Sequence, residues 1–213
     1  MKKEDILKMS SKCCPHGHNY LSHPQCYVKE LGKTEKIGIL DIEASGLKAS
    51  FAKVLSYCIK EVDGPILGRS LTTKESRSKV KDSDLIRELV ADMAKFDRIV
   101  TYYGAGFDIP FIRTRAVHFN IPFPSFGEIS HTDLYFVIRF KFKLHRNSLQ
   151  AAAEFFDIPA KGHRLDPEIW DSCVSGDQKA LDYVLTHNKE DVITTEALFK
   201  KVAPYTRIKK TSI

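Results

Sequence analysis

From Ile37 onward the chain alternates apolar and polar positions. In KIGILDIEAS, Ile37, Ile39, Asp41 and Glu43 fall on one face and Leu40 and Ile42 on the other, the two-residue period of a strand. Apolar residues on both faces predict a buried, central strand. VLSYCIKEV (54–62), the turn residues Asp63, Gly64 and Pro65, and the following ILGRSLT predict a hairpin, so that the first three strands form an antiparallel meander. Ser83 is placed to cap a helix over LIRELVADMAKF, with Leu85, Leu89 and Phe96 near one face, and RIVTYY predicts a second buried strand. In GAGFDIPFIRTRAVHF the glycines end that strand, Asp108 stands at a helix start and Pro110 fits an early helical position. HTDL predicts a further strand end, SLQAAAEFF a helix, and DQKALDYVLTHNKEDVITTEALFKKV one or two helices. A meander followed by βαβ units predicts an α/β domain, a mixed sheet with helices packed on its faces.

Residues 1–34 break this pattern, being rich in Cys, His, Lys and Pro and poor in aliphatic residues. The expected division is a Cys/His-rich segment at 1–34, the α/β domain at 35–205 and a basic tail at 206–213. Hydrophobic residues make up 43% and charged residues 28%, proportions that exclude a disordered chain, a collagen-like repeat and a membrane channel. A net charge of +6 and a pI near 9.0 favour a polyanionic partner. No run approaches the ~18 consecutive apolar residues of a membrane helix, and MKKEDILKMSS lacks the apolar centre of a signal peptide. The expectation is a cytoplasmic, intracellular protein without a membrane partner. Of the five cysteines, Cys13, Cys14 and Cys26 crowd into the first 26 residues, which points to metal-bound thiolates in a reduced compartment rather than a disulfide framework.

Asp41 and Glu43 project from one face near the end of a buried strand, about 6 to 7 Å apart along it. Like charges so placed repel, and hard divalent cations such as magnesium or manganese are what oxygen ligands prefer as neutralising partners. Asp108 is either a helix cap or a further ligand. His187 and Asp191 are four apart and face the same way on a late helix. Asp133, in HTDLY, is a fifth acid at a strand end, suited to support the site or to cap a helix. Six Cys and His residues fall in CCPHGHNYLSHPQC, where Cys13-x-x-His16 and His23-x-x-Cys26 form opposed pairs at zinc-ligand spacing, with Cys14 and His18 as competitors. A segment this polar is not expected to fold on apolar burial, so zinc would supply its folding energy. In RFKFKLHR (139–146), Arg139, Lys141 and Lys143 alternate with Phe140, Phe142 and Leu144 and Arg146 follows, so a strand-like conformation would turn cations outward along a phosphate backbone. Tyr103 closes a strand near Asp108 and is placed to flank a substrate.

The segments ILDIEASGL, VTYYGAGFDIPFIRTRA, HTDLYFVIR, SLQAAAEFFDI and HNKEDVITTEALF together resemble the successive motifs of the DEDD-type exonucleases of the ribonuclease H-like superfamily, over about Lys36 to Val202. The branch it resembles carries D-x-E on its first strand and ends in Tyr-Asn-x-x-Asp-Val, with His187 here standing at the Tyr position. The resemblance implies a ribonuclease H-like mixed sheet flanked by helices; it does not reach residues 1–34, whose Cys and His spacing makes them a small zinc-binding appendage. It also implies a magnesium- or manganese-dependent nuclease that removes nucleotides from 3′ ends, single-stranded ends above all. Residue by residue the acidic four become Asp41, Glu43, Asp108 and Asp191. Two cations suit phosphodiester hydrolysis. Asp41 would bridge both, Glu43 and Asp191 would complete one site and Asp108 the other, and His187 would orient or deprotonate the attacking water, a task that an imidazole near pKa ~6.5 fits better than a phenol near ~10. Two alternatives stand beside this reading: an endonuclease of the same superfamily acting on structured or hybrid duplexes, and a non-catalytic zinc-containing nucleic-acid binder.

Overall fold

Five strands, β1 (Ile37–Ala44), β2 (Val54–Glu61), β3 (Ile66–Ser70), β4 (Arg98–Thr101) and β5 (Ser130–Asp133), form one sheet in the order β3-β2-β1-β4-β5. The computed structural model describes residues 3–14, 17–22, 26, 35–78, 81–159, 166–206 and 213. β1, β2 and β3 are the expected antiparallel meander, and β4 and β5 run parallel to β1. The sheet is therefore mixed, with β1 at its centre. Gly38 in β1 lets the strand lie close under its neighbours, because a Cβ there would meet Ile59 Cγ2 at 2.8 Å and the Phe96 ring at 3.0 Å.

The described helices are α1 (Lys3–Ser11), α2 (Thr73–Arg77), α3 (Ser83–Met93), α4 (Asp108–His118), α5 (Leu134–Lys141), α6 (Leu149–Phe155), α7 (Pro167–Ser175) and α8 (Gln178–Val202). The alternation of β1 splits the core in two. Leu40 and Ile42 join Leu85, Ile86, Leu89 and Met93 of α3 and Ile109 and Ile112 of α4 in one cluster. Ile39 and Cys58 join Leu134 and Ile138 of α5, Ala152 and Ala153 of α6, and Val192 and Leu198 of α8 in the other. α8 serves both clusters, since Leu181 and Val184 in its first half pack with the first. It is one continuous 25-residue helix, opened by Asp177, whose carboxylate accepts from Lys179 N at 2.8 Å. α7 did not register in the sequence patterning, although Pro167 at its start and the left-handed Gly176 after its end (φ 86°) mark both termini.

Three sequence expectations need correction. Ser83 is the first residue of α3 and not its cap: Asp82 precedes it, fully buried, and its carboxylate accepts instead from Val54 N (2.9 Å) and Arg115 Nε (3.1 Å). Residues 139–146 are not a strand. Asp133 accepts from Tyr135 N at 3.0 Å and starts α5, which runs through Arg139 to Lys141 because Leu134 and Ile138 recur at helical spacing on its buried side. The amino-terminal segment does bury apolar surface: Met9, Cys14 and Tyr20 are 1%, 4% and 4% exposed and pack together, beside a bridge pairing Cys13 with Asn19. At the other end Ile213 is buried in the first cluster and donates its N–H to Ile129 O, whereas Arg207, Lys209 and Lys210 of the expected tail lie outside the described residues. Among the described residues no helix is long and apolar enough to cross a membrane.

His131 on β5 is 7% exposed, with Nε2 2.9 Å from Thr101 Oγ1. Burial, aided by the nearby Arg98 charge, lowers its pKa to about 4. Between that value and the ordinary ~6.5 the unfolded chain binds a proton that the folded chain refuses, so stability falls as pH drops through this window. Denaturant titrations of wild type and His131→Gln from pH 7.5 to 4 should show a flatter acid limb in the variant. Identical limbs would assign the acid sensitivity to other groups.

Candidate active site

The site begins where β1 outruns its parallel neighbour. Pairing between β1 and β4 ends at Ile39 with Val100, after which β4 turns away, and the Ile42 N–H beyond that point has no strand to meet. Asp108 fills the gap: its Oδ1 accepts from Ile42 N at 3.0 Å. Asp108 is the first residue of α4, as expected, but its carboxylate reaches across to β1 rather than only capping its own helix. It is 4% exposed. Burial raises its pKa to about 7, and the Asp133 charge adds to this while the Ile42 N–H and its own N–H oppose it.

The turn that delivers Asp108 is held by Asp133, which accepts from Tyr103 N (2.8 Å), Ala105 N (2.9 Å) and Tyr135 N (3.0 Å). One carboxylate thus clamps the 103–105 turn and starts α5, and burial raises its pKa against those three backbone donors. Tyr103 adopts a left-handed backbone (φ 66°), and its ring lies so close over Gly106 that a Cβ there would meet Cζ at 2.6 Å. A side chain at Gly106 would displace the Tyr103 ring from this position.

On β1 itself Asp41 and Glu43 point to the same face, the one shared with Ile39 and Cys58, and both are partly buried. α8 covers this face. His187 Nε2 lies 3.8 Å from Glu43 Oε1 and 3.7 Å from Asp191 Oδ2, and these side chains are only 13–16% exposed. Ligand atoms of Glu43, His187 and Asp191 all lie within 4.8 Å of one another, close enough to share one cation. Asn188, fully buried on α8, donates from Nδ2 to Asp41 O at 3.3 Å and ties helix to strand. Sequence reasoning passed over Asn188; its place in the middle of HNKED was the signal. The loop after Glu43 is anchored by Arg115, which donates to Ala49 O at 3.2 Å, and by Lys53, which donates to Val174 O at 3.2 Å.

The remaining expected site residues lie elsewhere. Tyr103 is 48% exposed at the mouth of a pocket lined also by Tyr102, Tyr135, Asn147 and Ser148. Arg139 and Lys141 are exposed on α5, and Lys143 and Arg146 follow it, also exposed. Phe142 turns inward and packs edge-on against Phe156 and Tyr205. Of the expected zinc ligands, His16 and His23 lie outside the described residues; Cys13 and His18 are exposed, Cys26 is half-buried and Cys14 is buried with Met9 and Tyr20. Gly17 has the left-handed backbone (φ 77°) of a tight turn, and Cys14 N donates to His18 O at 2.8 Å across it.

A family model of the RNase H superfamily matches residues 39–203, from the β1 carboxylates to the end of α8. In fold the chain is similar to the family B DNA polymerase from the hyperthermophilic archaeon Pyrobaculum calidifontis, with a TM-score of 0.65 at 21% sequence identity. That match covers 81% of this chain and 25% of the polymerase, so the chain spans about a quarter of its length. Among curated proteins no sequence match was found.

Asp108 offers a test that needs no substrate. Its folded pKa lies above the ordinary ~3.9, so between these values the folded chain holds the extra proton and stability declines as pH rises toward and past 7. Asp108→Asn keeps an acceptor for Ile42 N–H without the buried charge. Without added divalent metal at pH 8, the variant should melt above wild type; manganese should raise the wild-type melting temperature by more than the variant's. Equal melting of the two metal-free proteins would sink this account of Asp108.

Proposed function

Because the chain belongs to the RNase H superfamily, we propose that it is a metal-dependent nuclease hydrolysing phosphodiester bonds, acting as a 3′–5′ exonuclease on single-stranded ends. The observation that carries this reading is the convergence of Glu43, His187 and Asp191 within 4.8 Å, on the strand face that also bears Asp41. The donor set fits magnesium or manganese: carboxylate oxygens predominate, and a buried carboxyl at Asp108 with a raised pKa gains from a nearby cation. Glu43 and Asp191 would hold one ion, Asp108 the second, and Asp41 would bridge them. Two bound ions supply charge neutralisation at the attacking and leaving oxygens.

The protein's own groups would do the rest. His187, between Glu43 and Asp191, would orient the attacking water and accept its proton at Nε2. Asn188 would keep α8 in register with β1, so that the imidazole stays aimed at the carboxylates. Asp133 would act in support, by holding the turn that carries Tyr103 and leads to Asp108. Arg139, Lys141, Lys143 and Arg146 would take phosphates, and Tyr103 a base. In the amino-terminal segment, zinc on Cys13, His16, His23 and Cys26, with Cys14 or His18 as alternatives, would be structural.

The deciding experiment is a time course on 5′-labelled linear and circular single strands and on duplexes, DNA and RNA, with magnesium or manganese. Stepwise loss of nucleotides from the 3′ end, with circles resistant, is expected; cut circles would convert the reading to an endonuclease. Asp41→Ala should lose hydrolysis by orders of magnitude and keep strand binding. His187→Ala should lower kcat by roughly 10² to 10⁴ with KM little changed. A fully active His187→Ala would move the acid–base role elsewhere. Elemental analysis of untagged protein should find about one zinc per chain, lost in Cys13→Ser with Cys26→Ser.

A further inference from the structure

The solvent side of α5 is built the wrong way round for a soluble helix. Leu134 and Ile138 face the core, yet Phe136 and Phe140 stand on the opposite side, 37% and 71% exposed. Their rings are nearly parallel, 12° apart with centroids at 6.2 Å. Tyr135 continues the row, 5.2 Å from Phe136 and 4.8 Å from Tyr103. Tyr103 in turn belongs to the turn that ends at Asp108, and the same Asp133 carboxylate holds both tyrosine backbones. A continuous line of four aromatic rings thus runs from the turn that precedes Asp108 out along α5.

Charge identifies what would cover it. Between Asp133 and Glu154 the sequence holds no acid, while Arg139, Lys141, Lys143 and Arg146 all lie in this stretch, exposed. Arg139 stands among the rings, 5.7 Å from the Phe140 centroid and donating to Tyr135 Oη at 3.3 Å. Rings flanked by cations match a strand whose bases are unpaired and whose phosphates run alongside. A duplex keeps its base faces covered by neighbouring pairs and offers nothing to a phenyl ring. We propose that Tyr103, Tyr135, Phe136 and Phe140 form a stacking track for the unpaired nucleotides of a single-stranded substrate, leading its reacting phosphate to the carboxylates. The track rests on the nuclease reading for its destination, and adds to it a requirement for single-stranded length. Because every base has a π-face, the track takes strands with little regard to sequence.

Phe136→Ala with Phe140→Ala tests the track, since alanine suits an exposed helical position and the core side of α5 is untouched. Without added divalent metal, the affinity for a labelled 16-nucleotide single strand should fall by about 5-fold or more for each ring removed, while Phe140→Tyr should bind like wild type. Affinity for a blunt 16-base-pair duplex should not change. With manganese, kcat/KM for the p-nitrophenyl ester of thymidine 5′-monophosphate, too short to reach α5, should stay within about 2-fold of wild type. Unchanged affinity for the 16-nucleotide strand, or an equal loss on the duplex, overturns the track. So does a wild-type dimer that the double substitution dissociates while strand binding persists, because the face would then serve self-association. Ring-dependent strand binding by a protein that cleaves nothing would instead sink the nuclease reading and leave the track standing.

Discussion

The hydrogen bond from Ile42 N–H to Asp108 is the constraint around which the site is arranged. A central strand must satisfy both of its edges, and β4 is too short to do so for β1. The carboxylate that substitutes for the missing strand has to arrive from a turn, so the 102–107 segment must fold tightly. That folding rests on the left-handed Tyr103 and the Asp133 clamp. The same bond holds Asp108 beside the residue that separates Asp41 from Glu43. Backbone satisfaction and the gathering of acids are here one event.

Charge is handled differently in the scaffold and at the site. Asp82, fully buried, receives Arg115 through both Nε and Nη2, and Lys60 meets Glu196 at 3.2 Å between β2 and α8. These pairs place opposite signs together, which offsets much of the cost of removing them from water. At the end of β1 the geometry collects like signs instead: two carboxylates around an imidazole, and a third buried deeply enough that its proton is retained up to about neutral pH. α8 makes this possible because it is long enough to pack into both core clusters, with its His187–Asp191 turn placed between the two sets of anchoring residues.

Much of this was legible in one dimension. Strict alternation in ILDIEAS fixes which side chains share a face whatever the tertiary fold, so Asp41 and Glu43 were paired by geometry alone. The four-residue step from His187 to Asp191 does the same on a helix, and glycines before Asp108 with Pro110 after it placed that acid at a helix start. The meander was readable because its turn residues leave few other ways to connect the strands. Local rules of this kind hold because they depend on covalent geometry and on neighbours within a turn or two.

What failed or stayed hidden depended on partners far along the chain. RFKFKLHR alternates like a strand, yet Asp133 caps a helix that begins at Leu134, and the packing of Ile138 carries it through Arg139. No local pattern marks Asp82, because Val54 and Arg115, its partners, lie 28 and 33 residues away. Spacing within β1 or within α8 does not bring Glu43 to within 3.8 Å of His187 or bond Asn188 to a carbonyl on β1; only the resemblance of the motifs pointed to a shared site. The sequence by itself determined the meander, the helix that starts at Asp108 and the residues that share each of those faces, since these follow from backbone period and turn chemistry. Only the tertiary structure decided which faces meet, because that is set by the joint packing of β1 and α8 and by a backbone N–H that no strand was left to satisfy.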